Sequence, residues 1–489
     1  MKVLGLWLLF AGAAFQDSNQ INPEALEWFY KGQELSGTEL EYSLQQADFF
    51  EKAVKVDPDF SEARYNLAVV YIKQKKSKEA LQQLTAWINL KPKDSKGYLL
   101  RSRLRMEDSQ LDKAIQDLQQ ATNIDSQNYE IWQWLGKIYY RQGQYLKAIQ
   151  AFNRVLELNP SLVEIHLDMA LAQHAFSQKN EAIIHYEIFL NYLPDDFQAN
   201  YYLGLIYREM GQNDLALQYF LKAEKKDPNQ SDLLEELGNL YLDKNDLEEA
   251  RIRLLRADQR SVSNITNLGV IAKRKDQNDI ALKYFKKALS IEPNNSLVWG
   301  HQGDVLAGIS RNEEAAEAYE NALKYDPMDL KTVYNLGTLY VELKKLHKAL
   351  NLLQPHLNGE PCRDYLYYLI ALVFDQIKDP VNAVIHYQRA IECGIQQPFA
   401  HFRLAFLLSR KGDSTRALNH LGVALEKSPK EYVPVVVNEL RKVRSDLDSI
   451  RYTDEFSLLL SKHQTQLGNS DLINIEKKHP TLKQIYDPD

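Results

Sequence analysis

The sequence predicts an all-α chain built as an array of antiparallel helix pairs. Three observations predict it. First, residues 129–160, YEIWQWLGKIYYRQGQYLKAIQAFNRVLELNP, read as two helices with a tight break between them. Trp132, Leu135, Gly136 and Tyr139 fall on one face of the first, and Ala148, Phe152 and Val155 on one face of the second. Gly143 breaks the pattern and Pro160 stops the unit. Second, this pattern returns about every 34 residues along most of the chain. Third, 45% of the residues are apolar and 26% charged, which are globular values, yet 489 residues exceed one ordinary core. An array in which each unit packs on its neighbours escapes that limit.

The chain starts MKVLGLWLLFAGAAFQDS, which reads as a secretory signal over residues 1–14. Lys2 is a thin basic region, Val3 to Phe10 an apolar stretch, and Ala11 to Ala14 small residues for a peptidase. The apolar run is shorter than the roughly 20 residues a membrane span needs. The expectation is therefore an exported mature chain, periplasmic or secreted, with no membrane insertion after signal removal. A lead-in over 15–26 contains Asn22-Pro23-Glu24, a helix start with a capping side chain, proline at the first helical position and an acid.

Twelve units follow from the closing prolines. Units one to seven occupy 27–261 and units eight to twelve 262–431. Several carry a full set of positions. Unit six has Leu203, Gly204, Tyr207, Ala216, Phe220, Ala223 and Pro228, and unit nine Trp299, Gly303, Ala315, Tyr319, Ala322 and Pro327. Small residues at the eighth, twentieth and twenty-seventh positions let helix backbones approach. A large residue at the fourth and an aromatic at the twenty-fourth fill the space between pairs. Unit three is weaker, with Arg101 and Arg105 where apolar residues belong. Unit seven is short, because Gln259-Arg260-Ser261 replaces the usual acid-proline link. The missing residues must shorten a loop or the end of the second helix.

These positions resemble the tetratricopeptide (TPR) repeat. The resemblance implies a right-handed superhelical solenoid of antiparallel helix pairs. The region 432–467 looks like the helical cap often found after bacterial TPR arrays, and 468–489 is read as a polar tail. A leader and such a cap together point to a bacterial envelope.

No catalytic set rises above background, so a non-enzymatic protein is expected, without cofactor or metal. His166 and His174 are too far apart along one helix for a zinc pair. Glycines occur singly, at packing positions. The net charge of -7 and the scattered basic residues argue against nucleic acid. Cys362 and Cys393 read as free thiols in successive loops, too far apart to bridge. What remains is binding of a protein or extended peptide in the groove that TPR first helices line. By the family's geometry, Tyr334, Tyr365, Tyr368, Leu372, Phe399 and Phe402 face that groove and form an aromatic cluster fit for a partner. Two other readings stand beside this one. The first is an assembly platform of an envelope complex, acting by its convex face or by self-association. The second is a cytoplasmic regulatory TPR scaffold.

Overall fold

The computed structural model describes residues 21–358, 362–440, 442 and 444–464. The expected signal (1–14) and polar tail (468–489) lie outside the described residues. Among the described residues there are 26 α-helices and no strand. The pairs run Pro23–Gln33 with Leu44–Val56, Ser61–Lys73 with Ser77–Leu90, and Ser95–Glu107 with Leu111–Ile124. Then come Tyr129–Arg141 with Tyr145–Leu158, Glu164–Ala175 with Lys179–Tyr192, and Phe197–Glu209 with Asn213–Lys226. Ser231–Asp243 with Leu247–Arg256 is the seventh pair, and Val262–Arg274 with Asn278–Ile291 the eighth. The last four are Ser296–Gly308 with Asn312–Tyr325, Leu330–Glu342 with Leu346–Leu353, Asp364–Gln376 with Pro380–Glu392, and Pro398–Arg410 with Ser414–Lys427. Helices Pro429–Leu440 and Asp454–Gln464 close the array. The chain forms two compact halves that divide between Leu240 and Tyr241.

In the N-terminal half, Asn22 caps the first helix by accepting from Glu24 N–H, with Pro23 at the first helical position. Asp94, Asn128 and Asp196 cap later first helices in the same way. Within unit four, Gly143 takes the left-handed conformation at φ 73°. Gln144 N–H can then reach back to the Tyr139 carbonyl at 2.9 Å, which satisfies the end of the first helix and starts the second. The fourth position adds a hydrogen bond to its packing role. Arg64 Nε donates to the Pro58 carbonyl at 2.6 Å, Trp132 Nε1 to Ser126 at 3.0 Å, and Asn200 Nδ2 to Pro194 at 2.9 Å. Each ties a first helix to the loop that precedes it.

Two irregular units have local explanations. In unit three Arg101 and Arg105 both grip Asp117, which is 3% exposed. Arg101 makes a bidentate pair at 2.9 and 2.6 Å and Arg105 adds a contact at 2.7 Å. This ion triad stands where other units place apolar side chains, and its mutual pairing makes the buried charge tolerable. Unit two carries Trp87 where a small residue is usual. The indole fits because Gly97 lies against it, and a Cβ there would come within 2.0 Å of the ring.

In the C-terminal half, the shortening of unit seven falls on its second helix, which has 10 residues against 14 in unit eight. Gln259 Nε2 closes the early end by donating to the carbonyls of Leu254, Leu255 and Ala257. Cys362 and Cys393 are not free thiols but a disulfide, with Cα atoms 5.6 Å apart. The expectation failed because the two flank one helix pair rather than stand in separate layers. In an antiparallel hairpin the start of the first helix and the end of the second meet.

The cap begins earlier than expected and breaks in the middle. Its first helix ends at Leu440, turns follow, and the second helix starts at Asp454. Tyr432, Val433, Val436, Leu447, Ile450 and Phe456 are buried against unit twelve and the cap itself. Ser414 Oγ donates to the Ser449 carbonyl at 3.0 Å.

Candidate partner-binding face

The first helices of units ten to twelve place the expected cluster in two different environments. Tyr334, Tyr368 and Phe402 are 5%, 3% and 5% exposed and belong to the core. Phe402 stacks on Tyr432 of the cap with ring centroids 4.5 Å apart, and Tyr368 lies 6.1 Å from the Tyr387 ring. The expectation of six groove-facing side chains open to a partner is therefore corrected for Tyr334, Tyr368 and Phe402, which are buried. The first cap helix and the neighbouring first helices cover them. Tyr365, Leu372 and Phe399 are half-buried and rest on that core. Tyr365 meets Tyr334 edge-on at 5.4 Å.

A polar cluster that sequence reasoning missed lies on units eight to ten. Asp304 accepts from Tyr319 Oη at 2.8 Å and from Asn335 Nδ2 at 3.3 Å. Lys273 Nζ stands 3.0 Å and Lys331 Nζ 3.7 Å from the same carboxylate. These groups come from units eight, nine and ten. Burial works against ionisation of Asp304, but the two lysines outweigh it and hold the carboxyl below its usual range. Burial pushes the neighbouring His301 down to about 4. First helices that carry one acid between two cations in units eight to ten, and half-buried aromatic and aliphatic side chains in units eleven and twelve, suit a partner with mixed polar and apolar character.

The N-terminal half carries its own polar face. Arg103 lies 4.6 Å over the Trp134 ring, and Lys137 pairs with Asp168 at 3.3 Å. Burial keeps the Asp168 carboxyl above its usual range despite Lys137. His166 does not meet His174. Its Nδ1 lies 2.7 Å from Nδ1 of His185, and His401 and His420 repeat that pairing at 3.0 Å in unit twelve. The equal spacing of 19 residues in both pairs was the available signal. Among the described residues no group of three or more His, Cys, Asp or Glu is placed to hold a metal ion. Among them, too, no helix is long and apolar enough to cross a membrane.

Comparison with known proteins decides the family. The tetratricopeptide repeat description matches residues 47–104, 167–231, 203–263, 263–295 and 301–354, and the TPR repeat description 103–143 and 136–175. The chain belongs to the tetratricopeptide repeat family. It is similar to BBSome complex member BBS4 of Bos taurus, at 25% identity over 338 residues that cover 66% of this chain. The chain spans 64% of the length of that relative. It is also similar to protein O-mannosyl-transferase TMTC3 of Homo sapiens, at 24% identity over 69% of this chain and 40% of that protein. Among solved structures, the APC/C hetero-tetramer Cut9-Hcn1 aligns with a TM-score of 0.39 and 14% identity, over 79% of this chain and 97% of that one.

These relatives overturn the expected bacterial envelope location. BBSome complex members from Bos taurus, Mus musculus and Caenorhabditis elegans match, and they are animal proteins rather than periplasmic ones. A leader-like start and a capping helix pair are short local patterns and do not specify a bacterial envelope. The TPR array itself is a scaffold for protein interactions.

Proposed function

We propose that the chain is a non-enzymatic scaffold subunit of a multi-protein assembly. It holds an extended segment of a protein partner along the first helices of units eight to twelve. The observation that carries this reading is that the first helices of units eight to twelve bear both the half-buried Tyr365, Leu372 and Phe399 and the polar cluster of Lys273, Asp304, Lys331 and Asn335. Aromatic anchors beside polar groups are the usual composition of a binding hot spot. Similarity to a BBSome complex member supports assembly membership as the context.

A second reading has its own observation. Val381 and Ile385 on the second helix of unit eleven are 65% and 52% exposed, so the opposite face could serve as the platform. Photo-cross-linking separates the two. p-Benzoylphenylalanine placed at Tyr365 or Phe399 should capture a discrete protein partner in the source cell, and the same group at Ile385 should not. Capture from Ile385 alone would move the interface to the second helices.

A further inference from the structure

Several helix pairs close through their fourth and twenty-third positions, 19 residues apart. Arg64 Nη1 donates to Gln83 Oε1 at 3.0 Å, and His166 and His401 meet His185 and His420 through their Nδ1 atoms at 2.7 and 3.0 Å. Tyr367 and His386 stack with ring centroids 5.9 Å apart. Unit six leaves this contact open. Its fourth position holds the short Asn200, and its twenty-third, Tyr219, stacks instead on Tyr207, with centroids 5.5 Å and planes 11° apart. Asn200 and Tyr219 both line a cavity of about 290 Å³. That is room for a side chain rather than for a single water.

The rest of the wall is mostly polar and reaches solvent. Glu187, Asn191 and Pro194 come from the second helix of unit five and the loop after it, and Lys222 from the second helix of unit six; all four are exposed. Glu187 accepts from Tyr207 Oη at 3.5 Å and has no ion pair among the described residues. Asn200 is 0% exposed. Its Nδ2 is committed to the Pro194 and Asp196 carbonyls at 2.9 and 2.7 Å, and its Oδ1 has no donor among the described residues. A buried acceptor left unpaired is costly, so the cavity calls for a donor that enters it. A carboxylate without a cation in the same wall makes a positively charged donor the better match.

Unit two shows which group the fold places at these positions. The Arg64 guanidinium spans them, with Nε on the Pro58 carbonyl at 2.6 Å and Nη1 on Gln83. Its fork holds several donors in one plane and gives up water more readily than an ammonium. Lys222 is a cation in the wall of unit six, with Nζ 4.7 Å from the centroid of the Tyr219 ring. It opposes a second cation, which gives the test a sign. We propose that the cavity between the second helices of units five and six binds an arginine side chain of a protein partner. Glu187 takes the charge, Asn200 Oδ1 accepts an N–H, and the guanidinium stands as Arg64 stands in unit two. The subsite needs none of the residues of units eight to twelve.

The test uses the full chain with 4-trifluoromethylphenylalanine in place of Tyr192, observed by fluorine NMR. Tyr192 is exposed, adjoins Asn191 and is not part of the cavity wall. The probe is N-acetylarginine N-methylamide, and its citrulline analogue, similar in shape but uncharged, is the control. The resonance should move saturably with the arginine probe and stay put with the citrulline one. Glu187→Gln should lose the response. Lys222→Met keeps an apolar stem against Tyr219 and removes the opposing charge, so it should bring the midpoint to lower probe concentration. Both replaced side chains are exposed, and the contrast between the two probes on the parent chain needs neither variant. No shift with the arginine probe, or an equal shift with citrulline, would overturn the proposal. So would a response to free arginine alone, which would make the cavity a small-molecule site, or a weaker response in Lys222→Met, which would mark an anion site.

Discussion

Gly204 and Phe220 pack so closely that a Cβ added to Gly204 would come within 2.5 Å of a Phe220 ring carbon. The aromatic at the twenty-fourth position lies in the hollow left by the missing side chain at the eighth. Gly136 with Phe152, Gly269 with Phe285 and Gly303 with Tyr319 repeat the relationship. Phe220 is 0% exposed, so its ring is held by packing on all sides that solvent would reach. Gly204→Ala should therefore destabilise the chain by about 1–3 kcal/mol, although alanine is the better helix former. Gly204→Ala/Phe220→Leu should recover part of the loss. Urea denaturation of the three variants checks this, and an alanine variant as stable as the parent would contradict the close contact.

How much of this was legible in the sequence depends on the range of the interaction. The helix pairs and their small and aromatic positions repeat at fixed spacing, so local pattern reveals them. The burial of Tyr368 and Phe402 does not follow from spacing, because it is Tyr432 and the cap that cover them. The Asp304 cluster was hidden for a similar reason. Its members sit in three units, and only stacking brings Lys273 and Lys331 to one carboxylate. Arg101 and Arg105 break the apolar pattern locally, and only the fold sets Asp117 between them. The disulfide depends on the hairpin, which brings Cys362 and Cys393 together although 31 residues separate them.

The turn between paired helices makes a second prediction. Its left-handed residue is glycine at Gly143, Gly211 and Gly412 but not elsewhere: Ser177 has φ 66°, Lys344 58° and Lys378 64°. A side chain in that conformation is strained, and glycine is not. Ser177→Gly and Lys344→Gly should each raise stability by about 0.5–1 kcal/mol, and Gly211→Ala should lower it by about 1 kcal/mol. Chemical denaturation midpoints read both signs.

Buried imidazoles set the acid limit of the fold. Burial pushes His185, His301 and His401 down to about 4, and lowers His166, His386 and His420 in the same direction. The unfolded chain takes up protons on histidine near about pH 6.5, whereas the folded chain resists until the pH is much lower. The unfolded state thus binds more protons across this window, so stability is full above it and falls as pH drops from about 6.5 towards 4. Melting temperatures between about pH 7 and about pH 4.5 should decline. His185→Gln/His401→Gln should flatten the decline, since each pair then keeps one neutral, hydrogen-bonding side chain. An unchanged slope would place the acid sensitivity elsewhere.

The disulfide constrains unit eleven. It joins residues 31 apart and ties the start of Asp364–Gln376 to the end of Pro380–Glu392. Closing a loop of that length removes freedom mainly from the unfolded chain, by roughly 3–4 kcal/mol in the entropy picture. Unit eleven also lies between Tyr334 of unit ten and Phe402 of unit twelve, so its loosening should spread through the core they share. Cys362→Ser/Cys393→Ser should lower the melting temperature and speed hydrogen exchange in residues 364–392 before the N-terminal half is affected. Mass spectrometry after alkylation without reductant should find both cysteines unmodified in the parent chain. Two alkylated cysteines would show that the bridge does not form, and the loss of stability in the serine variant should then vanish.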